Sequence, residues 1–201
     1  MPEVIARFRK QHPDAQVVLV DALVSGLLET LETGQADLAI SNDASSRPGI
    51  ESAPLFRSRL HLVCPARHAL ARRRHASWDE WRREPLICIG TLPLLQLRSE
   101  LGPKLELEDI RVVGDVTAAL TMVAAGVGLA ICPGYVLPAT RVHRLRAIPC
   151  TDPVVVREYA LHRRGVATLS PVAVSFKAFL ETHFADGKGR CVEAARPSLL
   201  A

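Results

Sequence analysis

Aromatic side chains are scarce in this chain. Phe, Tyr and Trp make up 4% of its 201 residues, so the core must rest on Leu, Val, Ala and Ile. No apolar run approaches the roughly 18–20 residues that cross a bilayer, which excludes a membrane-spanning helix. No secretory signal opens the chain, because Met1 leads straight into Pro-Glu-Val-Ile-Ala-Arg-Phe-Arg-Lys, and a cytoplasmic location is expected. No C-x-x-C occurs. Cys64, Cys88, Cys132, Cys150 and Cys191 are widely separated and read as reduced thiols, mostly buried as small hydrophobes. Helix-turn-helix, zinc-finger and aromatic RNA-binding patterns are missing. So are a G-x-S-x-G elbow and any solenoid repeat. His61, His68 and His75 are evenly spaced, but they straddle a strand, a Pro-containing loop and a basic run, so they share no metal face. His12, His143, His162 and His183 read as isolated surface residues. No metal, no cofactor and no catalytic constellation is therefore expected.

What is present begins with charge. The net charge is +4, which is compatible with nucleic-acid contact without demanding it. The densest basic stretch spans residues 67–75, with Arg72-Arg73-Arg74, and is followed by Trp78, Trp81, Arg82 and Arg83. Basic residues beside aromatics suit a DNA-binding patch. A solvated connector and helix face is the plainer reading and the one favoured, since charge runs usually lie at the surface.

The pattern of elements is α/β. Residues 2–11 form an amphipathic helix with Val4, Ile5 and Phe8 on one face. Residues 15–20 read as a strand. Ser25 can cap a helix running to about Thr33, with Leu27, Leu28 and Leu31 as its buried stripe. Strands are expected over 37–41, 51–56 and 59–64. Ser77 caps a short helix carrying both tryptophans. A strand over 85–89, a loop over 90–93 and a helix near 94–101 follow. Then come a strand over 110–114, a helix over 116–125 capped by Asp115, and a strand over 129–132. A short strand near 145–149 and another over 157–162 precede a helix begun by Ser170 and Pro171, which runs to about Phe184. Residues 186–201 read as a flexible tail. Helices alternating with strands place the chain in the α/β class.

The most informative stretch is 120–133, Leu-Thr-Met-Val-Ala-Ala-Gly-Val-Gly-Leu-Ala-Ile-Cys-Pro. A helix ends there in a glycine pair and runs directly into a short apolar strand closed by Pro133. Gly126 and Gly128 can take positive φ and allow close backbone approach. In α/β sheets, small ligands collect at the strand ends. The G-x-G here leaves a helix and enters a strand, the reverse of a dinucleotide fingerprint.

This stretch resembles the signature near the end of the effector-binding domain of LysR-type transcriptional regulators. Three further matches lie in register: residues 27–40 (LLETLETGQADLAI); Leu55-Phe56 followed by residues 60–65 and His68-Ala69-Leu70-Ala71; and Arg163-Arg164-Gly165 with Leu169-Ser170-Pro171 and a closing amphipathic helix. The resemblance covers roughly residues 2–184 and implies a periplasmic-binding-protein-like fold of two Rossmann-like lobes joined by two crossover strands. Lobe one would hold residues 1–65 and 165–185, lobe two residues 66–164, and residues 186–201 the tail.

By the same resemblance the chain senses a small-molecule effector in a cleft between lobes. It would self-associate as a dimer or tetramer, through the helix Pro2–Gln11 of one subunit against the second lobe of another. DNA would be reached only through a separate N-terminal domain, and no membrane is involved. The candidate effector-binding residues are Val24, Ser25, Asn42, Thr91, Leu92, Asp115 and Pro133. Each also has a plain structural role. Asp115 and Ser25 cap helices, Asn42 favours a turn, and Thr91 and Leu92 sit in a loop before a helix. Tyr135 borders the same site, where it would stack on a ligand or simply pack. Asp115 stands where the family commonly has a small polar cap, and its carboxylate should repel an anionic effector. The other reading is a stand-alone small-molecule binding protein with no DNA role.

The chain departs from the family at its front. Relatives carry a winged helix-turn-helix domain, a linker helix and a first strand before the helix that here begins at Pro2, and none is present in this sequence. The missing strand would leave neighbours without backbone partners, at roughly 1–3 kcal/mol per buried amide. Either the native polypeptide starts upstream, or the fragment folds poorly, or another segment fills the gap; a truncated or mis-started regulator is the favoured expectation.

Overall fold

The computed structural model describes residues 1–20, 24–42, 47–102, 109–165, 168–185 and 193–194. Two compact units emerge: Met1–Arg57 with Glu158–Ala201, and Ser58–Arg157. The chain passes from one to the other inside two long strands, β2 (Ile50–Pro65) and β8 (Val156–Arg164).

The first unit is built on α1 (Pro2–Gln11), α2 (Val24–Glu32), β1 (Ala39–Ser41), parts of β2 and β8, α7 (Pro171–Ala185) and β9 (Glu193–Ala194). Pro2 begins α1 without losing a needed N–H, Glu3 sits in its first turn, and Arg9 and Lys10 in its last complement the helix dipole. Phe8 on α1 is fully buried and meets Phe176 and Phe179 of α7 at 4.8 and 5.4 Å between ring centroids. Phe56, Tyr159 and Phe184 stack nearby, with centroids 4.8 and 4.6 Å from Phe56. All five phenylalanines thus lie in this unit, whereas both tryptophans lie in the second. Ser170 caps α7 as expected, its Oγ accepting the Ala173 N–H at 3.2 Å.

The second unit carries a mixed sheet in the order β7–β2–β6–β4–β5, with β7 (Leu145–Thr151), β6 (Leu129–Pro133), β4 (Leu86–Ile89) and β5 (Ile110–Val113). β4, β5 and β6 are parallel, while β2 runs antiparallel to β6 and β7. A two-residue strand, β3 (Ala76–Ser77), adds to the outer edge of β7. α3 (Trp78–Trp81) and α4 (Thr91–Leu101) cover one face of the sheet through Trp78, Trp81, Leu94 and Leu97. α5 (Val116–Ala124) covers the other through Ala119, Leu120 and Val123. β4 is buried on both faces, hence its unbroken Leu-Ile-Cys-Ile.

Of the glycine pair, Gly126 takes the positive φ, whereas Gly128 does not and serves only the close backbone approach. Gly126 sits at φ +78° after α5. Its N–H donates to Val123 and the Val127 N–H to Met122, both at 3.0 Å, a Schellman closure. A Cβ on Gly128 would lie 2.5 Å from the Pro85 carbonyl oxygen, so only glycine lets the two backbones meet.

Four expectations are corrected. Residues 15–20 form no strand, and Val18, Leu19 and Val20 stand exposed. An extended segment becomes a strand only through a paired ladder, and among the described residues none pairs with it. The two strands expected over 51–56 and 59–64 are one continuous strand, β2. Helix α4 begins at Thr91 rather than Leu94, because Pro93 falls in the first turn, where its missing N–H costs nothing. α2 already includes Val24, so Ser25 lies inside the helix and not at its cap. Of residues 186–201, only Glu193 and Ala194 are described, and they pair with Phe56 and Arg57.

Candidate functional site

Four of the predicted residues, Thr91, Leu92, Asp115 and Pro133, lie at one end of the second unit. β4, β5 and β6 are parallel, so their carboxyl ends at Ile89, Val113 and Pro133 point the same way. After β4 the chain turns at Gly90 into α4 on one face. After β5 it passes Gly114 and Asp115 into α5 on the opposite face. Adjacent strands whose chains leave to opposite faces open a crevice outside their carboxyl ends, where ligands of α/β sheets bind. The Gly90 N–H donates to the Val113 carbonyl at 2.9 Å and ties the two loops together.

Thr91 is exposed at the start of α4, and Leu92 follows it in the helix, its side chain outside the described residues. The Asp115 carboxylate accepts the Ala118 N–H at 2.8 Å, so it is the N-cap of α5 as expected. It remains exposed and faces solvent at the strand ends. Pro133 closes β6 opposite Leu60 of β2, and the half-exposed Tyr135 follows in a 3-10 turn, Gly134–Val136.

The other predicted residues belong to the first unit. Val24 and Ser25 open α2, and their side chains lie outside the described residues. Asn42 follows β1 and is half-buried. The preceding residue is held by a network that sequence reasoning missed. His162, 1% exposed, places its Nε2 3.0 Å from the Ser41 Oγ and its Nδ1 2.7 Å from the Ser52 Oγ. The expectation that His162 is a surface residue is therefore overturned. Leu161 and His162 are consecutive and both buried, so no alternation in β8 marked the histidine. A neutral imidazole offers one donor and one acceptor, and each hydroxyl can supply the complement. The result ties β1, β2 and β8 together just before Asn42.

The four described thiols are buried. Burial raises the thiols of Cys64 and Cys88 to about 11, and those of Cys132 and Cys150 to about 12. All four are free; Cys191 lies outside the described residues. Burial lowers the His61 imidazole, whose Nδ1 lies 3.0 Å from the Arg59 carbonyl. No group of three or more His, Cys, Asp or Glu gathers as a metal site among the described residues. A small pocket of about 140 Å³ lies in the first unit, lined by Phe8, His12, Ala15, Pro171, Val172 and Ser175, and includes none of the predicted residues. No helix among the described residues is long and apolar enough to cross a membrane.

Comparison with known proteins identifies the family and the fold. A family model described as the LysR substrate binding domain matches residues 1–185. YbhD, an uncharacterized HTH-type transcriptional regulator of Escherichia coli (strain K12), is 26% identical over 191 residues, covering 94% of this chain and 60% of its own length. The HTH-type transcriptional activator IlvY of Salmonella typhimurium is 29% identical over 147 residues, covering 68% of this chain and 48% of its own length. This chain thus spans less than two thirds of these relatives. Among solved structures, the BenM effector binding domain with its effector benzoate aligns with a TM-score of 0.75 at 21% identity, covering 100% of this chain and 91% of that one. The effector binding domain of QuiR in complex with shikimate aligns with a TM-score of 0.75 at 22% identity, covering 90% and 88%. At such identities the likeness is one of fold, the periplasmic-binding-protein-like α/β arrangement that the sequence implied. With the family model matched from its first residue to the end of α7, the chain belongs to the LysR substrate-binding domain family.

Proposed function

We propose that this chain senses a small-molecule effector on behalf of a LysR-type transcriptional regulator. The observation that carries this reading is the convergence of Thr91, Asp115 and Pro133 at the carboxyl ends of three parallel strands. Val24, Ser25 and Asn42 stay candidate effector contacts on the strength of the family resemblance. The role is binding without turnover. An effector acts by its differential affinity for two states of the protein. The DNA sequence is read by a separate DNA-binding domain, the regulator works in the cytoplasm, and it self-associates. The effector-binding domains of BenM and QuiR, seen with benzoate and shikimate, supply the first probes.

The test is a thermal-shift screen of neutral, cationic and carboxylate metabolites, with benzoate and shikimate included, followed by calorimetric titration of any hit. The expected result is saturable binding that weakens in Thr91→Ala and Asn42→Ala and is altered in Asp115→Ser, with the ligand recovered unchanged. Binding that none of the three variants touches would sink this site, and consumption of the ligand would sink the sensor reading.

A further inference from the structure

We infer that the arginine-rich end of the second unit is a docking surface for the phosphate backbone of duplex nucleic acid, a contact made by this chain itself. β2 ends at Pro65 beside the start of β7, since Pro65 pairs with Leu145 and Cys64 with Arg146. The turn carrying Arg67 therefore lies beside Arg144 and Arg146. The 3-10 turn Ala69–Arg72 packs on β7 and brings Arg72 to this flank, and Arg74 leads into β3 along the outer edge of β7. His68 Nε2 lies 3.8 Å from Glu84 Oε1, which places Arg83 at the same turn. All six arginines are exposed.

Their neighbours are paired and they are not. Arg73 meets Glu80 at 3.6 Å and Arg82 meets Asp79 at 3.7 Å. Arg67, Arg72, Arg74, Arg83, Arg144 and Arg146 make no ion pair among the described residues. The Arg67 guanidinium lies over the last turn of α5, 3.9 Å from where a Gly126 Cβ would sit. The carbonyl end of a helix attracts a cation there. Uncompensated like charges repel one another, and a polyanion relieves that repulsion.

The chemistry favours phosphate on a duplex. Guanidinium groups present a planar fork that matches phosphate oxygens two at a time. Single strands are gripped by aromatic platforms, and among the described residues this surface has none: Trp78 is 5% exposed and Trp81 is 0% exposed. The surface lies at the amino ends of β4 and β6, away from Thr91, Asp115 and Pro133. Effector and backbone can thus be held together.

The test is fluorescence anisotropy of the full chain with a labelled random-sequence duplex in 50 to 200 mM salt. Neutralising four phosphates predicts a log–log slope of about −3.6, roughly a hundred-fold loss of affinity across that range. The pairs Arg72→Gln with Arg74→Gln, and Arg144→Gln with Arg146→Gln, should each reduce the slope by about 2. Arg9→Gln on α1 should leave it unchanged. Unaltered thermal melting in each variant separates lost contact from lost fold. No binding at 50 mM salt would overturn the proposal, as would binding that both pairs leave intact. Tighter binding to a single strand, or to anionic lipid vesicles, than to the duplex would overturn it as well.

Discussion

Gly128 and Pro85 touch backbone to backbone: a Cβ on Gly128 would come within 2.5 Å of the Pro85 carbonyl oxygen. The same carbonyl accepts the Leu129 N–H at 2.8 Å, so it cannot swing aside without breaking the entry to β6. Gly128→Ala is expected to cost about 2–3 kcal/mol through overpacking. Gly126→Ala, strained only by its φ of +78°, should cost about 1–2 kcal/mol. Urea denaturation of the two variants checks the order; equal stability to the parent at Gly128 would mean the turn can open.

The buried histidine offers a second test. Ser41→Ala removes a hydroxyl from the fully buried side of His162 and should cost about 1–3 kcal/mol. Ser52→Ala should cost less, since Ser52 is exposed and water can replace its hydroxyl. Equal losses in chemical denaturation would contradict the asymmetry.

Asp115 separates capping from ligand charge. Asp115→Ala should destabilise the chain by about 1 kcal/mol, because the Ala118 N–H loses its acceptor. Asp115→Ser keeps an acceptor and should stay within a few tenths of a kcal/mol of the parent. If the effector site lies here, Asp115→Ser should also bind carboxylate probes at least about five-fold more tightly, the effect of removing about 1 kcal/mol of like-charge repulsion. Calorimetry with benzoate and shikimate on both proteins reads the change.

The thiols set the alkaline limit. Cys64, Cys88, Cys132 and Cys150 have folded values of about 11 to 12, above the ordinary thiol value of 9.0, because burial disfavours the thiolate. A raised folded value means that the stabilisation is complete below pH 9 and is lost as pH rises toward 11–12. The urea midpoint should therefore fall with pH above 9. At pH 8 these four thiols should resist a thiol-reactive dye until the chain unfolds, and rapid labelling of the folded protein at any of them would contradict their burial.

Much of this protein was legible in the order of its residues. The helix, glycine pair and apolar strand of 120–133, the Asp115 cap and the Ser170–Pro171 start are local matters of φ, hydrogen-bond capping and hydrophobic period. The chain states them within a few residues. Tertiary structure decided what depends on partners far along the chain. Residues 15–20 carry a strand pattern but have no ladder. His162 looks like any polar residue of an edge until Ser41 and Ser52, more than a hundred positions away, enclose it. The basic run is exposed, as a solvated connector should be, but only the pairing of Pro65 with Leu145 sets Arg144 and Arg146 beside it, and only packing buries both tryptophans. Local conformation is a property of short sequence, whereas burial and the grouping of charge belong to the packed sheet, and the sheet joins residues that the sequence keeps apart.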